Sequence, residues 1–588
     1  MSPYLFILCI ELLSFNITNN TNIKGLKIGE QEIKSTLFAD DATFLTDGTK
    51  ESFENLIYTI ESFTKISGLK LNSSKCNVLR VGPLKNTNIK YLENKKFEWS
   101  SEKAKALGIY FTNNKHDILK LNFLNKVEDF HNCLKSWMHR KLTLLGKITV
   151  LKCFALPKLV YPLTVLPNPP EGILQDIINT MFKFIWNGKP NKIKKETLMR
   201  NIENGGIKMV DLRKFIYSLK ASWINRILDN NKGPWKQIYL SKLTSYGGKI
   251  IFDCNLNPED IKQHFPKCLF LQDILISWRK ICQQDDFKVI GKCIIWNNTK
   301  VKINNKIVFY KEWYDKGIIH FESLFDFRTK HFYTFDYFSY LYDIPRNDYL
   351  KYYSLISSIP ADIKESLKQQ QINAQQNESI LNKLLSKKQT NKFLYNYQIC
   401  RESNGLTIQQ QRWSEEFTNE QLDWKNIFKS PSLWALSTKL RNFQYKYLMR
   451  IVATNKMLFR YHLTISNLCD FCSTEVETVK HLFWSCIKTK CFWSEISQFL
   501  RSKNVDITLD LKIITFGKQE KCQNRIVLNF IILSAKYYIY INKCKKSIPN
   551  LEGYKTFLFK CIDIEKQIAL KYDKLQQHCE KWRVFLNV

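Results

Sequence analysis

The chain has 588 residues, of which 44% are hydrophobic and 14% aromatic, which is enough to bury sizeable cores and excludes a disordered tail. Lys and Arg together number 89 against 54 Asp and Glu, giving a net charge of +35. An excess of this size favours polyanionic partners, because each cation that neutralises a phosphate releases condensed counterions. A basic protein without a polymer ligand is the alternative.

The 17 cysteines are an odd number scattered through a long chain, and no secretory signal precedes them. This favours reduced thiols and a metal site over a disulfide framework. The apolar start from Met1 to Phe15 lacks a basic leading region, carries Glu11 and has no small-residue cleavage site. No segment offers the ~18 uninterrupted apolar residues of a membrane span. We therefore expect a soluble, intracellular protein with no membrane partner.

Residues 1–112 alternate between strand-like and helix-like patterns. Ser35 to Thr46 predicts a strand interrupted by an acidic pair, and short strands are predicted at Cys76–Val81 and Ala106–Phe111. Between them a helix is predicted, because apolar residues recur at spacings of three and four: Phe53, Leu56, Ile57, Ile60, Phe63 and Ile66. Gly68 is placed to end this helix in the left-handed conformation. The region therefore has an α+β pattern.

Composition divides the rest of the chain into four regions. Residues 113–165 are basic and helical, and prolines follow them. Residues 166–360 are rich in aromatic and basic side chains. Residues 361–425 include a Gln- and Asn-rich tract around 369–377, which indicates a solvated helix or linker. Residues 426–588 are again helical, with one predicted helix whose apolar side is Leu436, Leu440, Phe443, Tyr447 and Ile451.

Phe38-Ala39-Asp40-Asp41 lies between two short apolar stretches, which is the arrangement of a tight hairpin. Two adjacent carboxylates at a hairpin tip repel each other, and a divalent cation is the simplest way to keep both ionised. Mg²⁺ held in this way serves phosphoryl transfer in two-metal sites. Ordinary turn chemistry is the alternative, since Asp is common in turns.

Four segments resemble reverse transcriptases in the order that this family has them. Phe38-Ala39-Asp40-Asp41 resembles the family's F-A-D-D motif, and Met1-Ser2-Pro3-Tyr4-Leu5-Phe6 is similar to the end of the preceding motif, a Ser-Pro turn leading into a helix. Gly68-Leu69-Lys70-Leu71-Asn72, followed by Ser74-Lys75, is similar to the next motif. Leu107-Gly108-Ile109 is similar to the strand that helps to hold the primer end. Together the four matches predict a polymerase palm.

The resemblance implies roles for three of these residues. Asp40 would be a Mg²⁺ ligand, Asp41 its neighbour in the same acidic site, and Lys75 a cation near the incoming triphosphate. A surface lysine after a turn is the alternative for Lys75. The family places another metal-binding Asp on a strand upstream of the Ser-Pro helix, at which this sequence starts. We therefore expect a chain truncated at its N-terminus and without appreciable polymerase activity alone.

Two basic segments downstream predict contacts with nucleic acid. The first follows the palm where a polymerase thumb would stand, and its candidate side chains are Trp137, Arg140, Lys141, Lys147 and Lys152. A solvated helix surface is the alternative. The second resembles a stretch typical of LINE proteins and contains Trp186, Lys192, Lys194, Lys195 and Gly205-Gly206-Ile207. Trp186 either stacks on unpaired bases or belongs to the core.

Cys469-x2-Cys472-x8-His481-x4-Cys486 has the composition of a zinc site. Three thiolates and an imidazole suit tetrahedral Zn²⁺, and a closed set of four ligands is structural rather than catalytic. Coincidence in a chain with many cysteines is the alternative. With Glu477-Thr478 ahead of His481, the module resembles the zinc-binding domain found after LINE-type reverse transcriptases, where it would grip the element's RNA or the target DNA.

The chain is accordingly identified as the C-terminal part of a LINE-type (non-LTR retrotransposon) reverse transcriptase. The implied fold is α+β, with a partial palm (1–112), thumb-like helices (113–165), a basic, aromatic-rich helical connector (166–360), a polar linker (361–425) and a small zinc-binding helical module (426–588). The implied activity is RNA-directed DNA synthesis with Mg²⁺ in the intact palm and structural Zn²⁺. Implied partners are an RNA template, a DNA primer or target, and deoxynucleoside triphosphates, in the nucleus and in cytoplasmic ribonucleoprotein.

Two other functions are compatible with parts of the pattern. A non-catalytic nucleic-acid-binding protein would use the basic helices and the zinc module and would need no upstream Asp. A group II intron maturase shares the palm motifs, but the sequence has no H-N-H-type nuclease pattern near its C-terminus, and the Cys-Cys-His-Cys set favours LINE elements.

Overall fold

The computed structural model of the chain describes residues 2–28, 31–229, 233–265, 268–282, 290–369, 380–402, 405–418, 421–503, 505, 507–520 and 524–586. The chain folds into two compact units. Unit 1 contains Met1–His131, Pro157–Asp176 and Leu212–Gln398, and unit 2 contains Asn132–Leu156, Ile177–Asp211 and Ile399–Val588. Each unit is therefore built from segments that lie far apart in the sequence.

Residues 1–112 contain two helices and short strands, which pair two by two. The helices are α1 (Ser2–Asn19) and α2 (Lys50–Ser67). The strands are β1 (Leu26–Ile28), β2 (Gln31–Ile33), β3 (Ser35–Phe38), β4 (Asp41–Phe44), β5 (Asn77–Leu79), β6 (Glu98–Ser100), β7 (Lys103–Ala106) and β8 (Ile109–Thr112). The pair β5–β6 is parallel, and the pairs β1–β2, β3–β4 and β7–β8 are antiparallel.

Helix α2 confirms the helix predicted from the apolar spacing. Thr49 caps its first turn by accepting a hydrogen bond from the Ser52 amide, and Gly68 ends it at φ 71 with a hydrogen bond to the Thr64 carbonyl. Its apolar side packs against Leu13 and Ile17 of α1 to form a small core. Large apolar side chains on another part of α1, including Tyr4, Leu8 and Phe15, are exposed.

The strand predicted at Ala106–Phe111 is wrong as a single strand. Residues 107 and 108 form a turn between β7 and β8, in which Ala106 pairs with Ile109. Leu107 has φ 48 and Gly108 has φ 77, a left-handed pair that reverses the chain. The alternation of apolar residues did not reveal this turn, because it continues across the glycine.

The rest of the described chain is mostly helical. Its helices up to residue 369 are α3 (Lys115–Met138), α4 (Leu144–Val150), α5 (Pro157–Val165), α6 (Glu171–Trp186), α7 (Lys195–Met199), α8 (Leu212–Ala221), α9 (Trp223–Leu228), α10 (Pro234–Thr244), α11 (Pro258–His264), α12 (Leu269–Cys282), α13 (Lys311–Asp315), α14 (Phe335–Tyr342), α15 (Tyr349–Ser358) and α16 (Ala361–Gln369). Two hairpins join short strands, β9 (Lys302–Ile303) with β10 (Lys306–Ile307) and β11 (Phe325–Asp326) with β12 (His331–Phe332).

The later helices are α17 (Ile380–Leu385), α18 (Thr390–Glu402), α19 (Ile408–Glu416), α20 (Trp424–Lys429), α21 (Pro431–Trp434), α22 (Thr438–Leu448), α23 (Asn455–Arg460), α24 (Ile487–Arg501), α25 (Leu511–Phe516), α26 (Arg525–Lys545), α27 (Leu551–Lys571) and α28 (Leu575–Leu586). Helix α22 lies within the stretch predicted from Leu436 to Ile451, and it buries Leu440, Phe443 and Tyr447. Leu436 precedes the helix and is exposed, so its predicted place on the buried side is wrong, whereas Ile451 follows the helix and is buried.

Unit 1 has a large second core made from residues 221–394. Three fully buried tryptophans lie in it, and each indole N–H has an acceptor: Trp278 donates to the Phe252 carbonyl, Trp296 to the Ile318 carbonyl and Trp313 to a carboxylate oxygen of Asp348. Many aromatic residues of this region therefore form a core. Residues 370–379, with most of the predicted polar tract, lie outside the described residues, and the flanking helices α16 and α17 bury Leu367 and Leu384 in the same core.

Unit 2 joins helix α4, from the region predicted as thumb-like, to the C-terminal helices. The Leu144 amide donates to Asn442 Oδ1 of α22 over 3.1 Å. The buried Lys147 donates to the carbonyls of Phe184 and Ile185, at 2.8 and 3.0 Å, and to Asn187 Oδ1. These carbonyls belong to the last turn of α6, which lacks partners within its own helix. Lys147 thus acts as a cap that fixes α4 to α6.

Across the part of the chain that the structure describes, no single helix is long and apolar enough to cross a membrane. One bent pair of helices, Leu144–Ala155 with Pro157–Val165, reaches the required length and composition only when taken together.

We expect Lys147→Met to lower the free energy of unfolding by about 1–3 kcal/mol, because it leaves buried carbonyl groups without their donor. Urea unfolding followed by tryptophan fluorescence measures this loss. Lys141→Met is the matched control: Lys141 is exposed and lies in the same unit, so its replacement should change stability by less than about 0.5 kcal/mol. Equal stability of the two variants would contradict the capping role.

Candidate metal centre

Cys469, Cys472, His481 and Cys486 come together in unit 2 as one cluster. Their ligand atoms all lie within 4.8 Å of one another. Cys469 Sγ lies 3.9 Å from Cys486 Sγ, and Cys472 Sγ lies 3.4 Å from His481 Nε2. Four donors placed tetrahedrally around zinc, with Zn–S bonds of about 2.3 Å, are separated by about 3.5–3.8 Å. The donor set and its spacing therefore fit a Zn²⁺ ion.

A tight turn places the first two cysteines on the same side. The Ser473 amide donates to the Cys469 carbonyl and the Cys469 amide to the Glu475 carbonyl, both at 2.8 Å, and Ser473 has φ 57. A β-bridge between Leu468 and Val476 closes this loop at its base. The Phe471 amide points at Cys469 Sγ over 3.4 Å. An amide donor to sulfur stabilises the thiolate form that metals bind.

A single helical turn, His481–Ser485, supplies the other two ligands. Thr478 Oγ1 accepts from the His481 amide at 3.0 Å and so fixes the start of the turn. The Cys486 amide donates to the His481 carbonyl at 2.9 Å. This hydrogen bond closes the turn and brings its first residue, His481, close to Cys486. Helix α24 holds the turn, because the Trp493 indole N–H donates to the Phe483 carbonyl at 2.8 Å.

The two cysteines of the turn differ in acidity. Burial raises the pKa of Cys472, but hydrogen bonds from Thr474 and from the Glu475 amide outweigh it, so this pKa falls to about 6. Burial raises the pKa of Cys469 to about 12, against the opposing hydrogen bonds from the Cys472 and Phe471 amides. Metal binding deprotonates such thiols, so zinc affinity depends on pH and binding releases protons.

Glu475 lies behind the histidine ligand. Its Oε2 is 3.0 Å from His481 Nδ1, although the ring nitrogen has no aligned hydrogen bond. Glu475 is exposed, and a small rotation of either side chain aligns the pair. A carboxylate on the second ring nitrogen orients a metal-bound imidazole and makes its other nitrogen a better ligand.

A buried charged cluster fixes the loop of residues 468–476, which we call the zinc loop, to helix α26. The carboxylate of Glu477, which is fully buried, accepts from the Asn455 amide at 2.7 Å and the Asp470 amide at 3.3 Å. Lys543 of α26 lies 3.6 Å from Glu477 and 3.8 Å from Asp470, and it donates to Asn455 Oδ1 at 3.0 Å. Burial raises the pKa of Glu477, and its hydrogen bonds and Lys543 act in the opposite direction.

Sequence reasoning missed this cluster. Glu477 entered the prediction only as part of a motif, and neither Asn455 nor Lys543 was singled out. A lysine on the C-terminal turns of an otherwise apolar helix was the available signal, but its partner could not be identified from spacing. Removing one partner of such a pair leaves an uncompensated buried charge.

The acidic hairpin has the predicted form. Phe38 pairs with Asp41 across β3 and β4, which leaves Ala39 and Asp40 as a two-residue turn with Ala39 at φ 51. Both carboxylates are exposed, and in the described structure no third His, Cys, Asp or Glu joins them in a metal-binding group. Lys75 is exposed on the turn Ser73–Lys75, and among the described residues no ion pair or hydrogen bond links it to either aspartate. The pair can hold a divalent cation, with the remaining positions left to water or other ligands.

Some of the side chains predicted to contact nucleic acid are exposed in the structure, and others are buried. Five of these cations are exposed: Arg140, Lys141, Lys152, Lys192 and Lys194. Arg140 stacks on Trp137, with its guanidinium carbon 4.2 Å from the ring centroid, and the half-buried Lys195 lies over Phe182 at 4.8 Å. All of these residues belong to unit 2.

The predicted contacts of Lys147 and Trp186 with nucleic acid are not supported by the structure. Lys147 is 3% exposed and caps α6, and burial, with a smaller effect of Lys446, lowers its pKa to about 8. It is therefore engaged inside unit 2 and not available to phosphate. Trp186 is 7% exposed, so of its two predicted roles the structure supports the core position.

Comparison with known protein families gives two matches. Residues 1–111 match the family of reverse transcriptases (RNA-dependent DNA polymerases), and residues 408–493 match the family described as zinc-binding in reverse transcriptase. The first match contains the acidic hairpin, and the second contains all four residues of the metal cluster. The chain therefore carries a reverse transcriptase domain and, downstream of it, a reverse-transcriptase-associated zinc-binding domain.

We expect the purified chain to contain one zinc per polypeptide and Cys486→Ser to contain none, because three ligands leave the tetrahedral set open. Mass spectrometry of the metal content after gel filtration measures this ratio. Cys491→Ser is the matched control, since Cys491 is exposed and lies outside the cluster. Equal zinc content in the Cys486 variant and the unchanged chain would contradict the assignment.

Proposed function

We propose that the chain derives from reverse transcriptases of the non-LTR retrotransposon (LINE) type, which act on an RNA template and a DNA primer or target. The observation that supports this most strongly is the combination of a palm hairpin bearing Asp40 and Asp41 with a four-ligand zinc cluster in the downstream domain. The two family matches occur in the same order. We place its action in the nucleus and in cytoplasmic ribonucleoprotein.

The reaction joins the primer 3′-oxygen to the α-phosphorus of a deoxynucleoside triphosphate and releases pyrophosphate. In this proposal Asp40 and Asp41 hold Mg²⁺ through their exposed carboxylates. A magnesium ion held by these carboxylates would lower the pKa of the 3′-hydroxyl and neutralise charge on the leaving pyrophosphate. Lys75 would lie close to the triphosphate, where its ammonium stabilises negative charge.

The exposed cations of unit 2 would hold the nucleic acid. Arg140 and Lys141 precede α4, and Lys192 and Lys194 precede α7, so two separate basic segments are available to phosphates. Contacts of this kind position a duplex without reading its sequence and weaken steeply with salt.

A non-catalytic nucleic-acid-binding protein is the second candidate. It is favoured by the contrast between the two sites: the zinc cluster has a full set of four ligands, whereas the hairpin offers two carboxylates from one turn. The palm chemistry draws carboxylates from two strands, so the hairpin by itself does not complete a two-metal site.

For this chain alone we expect nucleic-acid binding without primer extension. The test incubates the purified chain with oligo(dT) annealed to poly(rA), thymidine triphosphate and Mg²⁺, beside an established reverse transcriptase. Binding to the same duplex, followed by fluorescence anisotropy, should be unchanged within about twofold in Asp40→Asn, because the hairpin holds only metal.

If the unchanged chain extended the primer and Asp40→Asn abolished this extension, catalysis would be established and the expectation of inactivity would be wrong. If the chain did not bind the duplex of oligo(dT) and poly(rA), both candidate functions would be contradicted.

A further inference from the structure

An unusual run of exposed apolar side chains precedes the zinc loop. Phe459, Tyr461, Leu463 and Ile465 occupy alternate positions, and their exposed fractions are 46%, 55%, 68% and 100%. We call residues 459–465 the apolar loop. Apolar side chains left in water forgo the favourable free energy of burial, so four of them within seven residues are not explained by the core. Several exposed apolar side chains within seven residues indicate a surface that binds a partner.

The backbone of the apolar loop is held in place. Helix α23 ends with His462 at φ 55, and the Leu463 amide donates to the Leu458 carbonyl while the His462 amide donates to the Phe459 carbonyl, both at 2.9 Å. These two hydrogen bonds make a Schellman cap. The side chains at 459, 461 and 463 therefore project from a fixed turn.

The same loop is anchored to the metal centre. At the start of α23, the side-chain amide of Asn455 donates to the Leu468 carbonyl at 2.8 Å, and its backbone amide donates to the buried Glu477 carboxylate. Leu468 then forms the bridge with Val476 that closes the zinc loop. The zinc loop and the apolar loop thus share their supporting hydrogen bonds.

The sequence on either side of the apolar loop leaves an excess of unpaired cations. Three acidic residues lie nearby in sequence, but Asp470 and Glu477 face Lys543, and Glu475 lies against His481. By contrast, five exposed cations make no ion pair in the described structure: Lys456, Arg460, Lys480, Lys488 and Lys490. Lys456 and Arg460 lie on α23, which leads directly into the loop. Exposed apolar side chains next to these two unpaired cations fit a ligand that is flat and apolar and also strongly anionic.

Single-stranded nucleic acid has this chemistry. Its unstacked bases offer apolar faces to aromatic side chains, and its phosphates attract the surrounding cations. A duplex keeps its bases stacked and offers the same phosphates without free faces, so charge alone would not distinguish the two.

We propose that the apolar loop stacks on unpaired bases of a single-stranded RNA or DNA segment, while Lys456 and Arg460 contact its phosphates. The inference rests on the proposed function and names single-stranded nucleic acid as the ligand of the zinc-binding domain. Tyr461 is the central residue, because it is the exposed aromatic side chain next to both Arg460 and the αL cap.

The experiment measures the affinity of the zinc-loaded full chain for oligo(dT), oligo(U) and a DNA duplex of equal length by fluorescence anisotropy. Tyr461→Ser should bind both single strands about 5- to 150-fold more weakly, the range for losing one stacked base, and should bind the duplex almost unchanged. Tyr461→Phe keeps the ring and should keep the affinity. A larger loss on oligo(U) than on oligo(dT), or the reverse, identifies the strand.

Two further variants separate stacking from charge and from general damage. Arg460→Ala should lower the slope of log affinity against log salt by about 1, whereas Tyr461→Ser should leave that slope unchanged. Tyr340→Ser is the matched control, because Tyr340 is 86% exposed and lies in unit 1, and its replacement should have no effect.

Equal single-strand affinity of Tyr461→Ser and the unchanged chain would overturn the inference and leave the proposed function standing. So would an equal loss on duplex and single strand. A change from dimer to monomer in Tyr461→Ser by sedimentation, with unchanged affinity, would show that a second copy covers the loop and would also overturn it. If the unchanged chain bound none of the three probes, the proposed function itself would fail.

Discussion

The structure of the C-terminal region depends on the convergence of three sulfur atoms and one imidazole nitrogen on a point. The loop that carries Cys469 and Cys472 is too short to bury a core of its own. Zinc binding to a set of this kind contributes on the order of 10 kcal/mol to folding. The buried ion pair of Glu477 and Lys543 then links the zinc loop to α26. The same carboxylate also accepts hydrogen bonds from the backbone amides of Asn455 and Asp470. Both the metal centre and the apolar loop are positioned through these contacts.

Charge has two separate uses in this protein. The net charge of +35 indicated nucleic acid, yet several of the lysines lie inside. Lys147 caps a helix, Lys543 pairs with Glu477, and the fully buried Lys536 donates to Gln444, with its pKa lowered by burial. The cations that remain exposed, such as Arg140 and Lys192, are the ones that can neutralise phosphates. Composition gives the sum of these roles, and only burial separates them.

Local patterns predicted local structure well. The helix ending at Gly68 and the hairpin at Asp40 follow from apolar spacing and turn chemistry, and the zinc ligands follow from their spacing, because each feature is formed by neighbours in sequence. Predictions that depended on distant partners did worse. Lys147 lies in a basic helix and was expected at the surface, but its acceptors come from the end of α6. Trp186 could not be assigned to core or surface until the fold placed it inside.

The central claim is that Cys469, Cys472, His481 and Cys486 surround a single zinc ion. X-ray absorption at the zinc edge of the purified chain tests it most directly, since it reports the atoms bound to the metal. We expect three sulfur neighbours at about 2.3 Å and one nitrogen at about 2.0 Å. A shell made mainly of oxygen and nitrogen, or a zinc signal without sulfur, would contradict it.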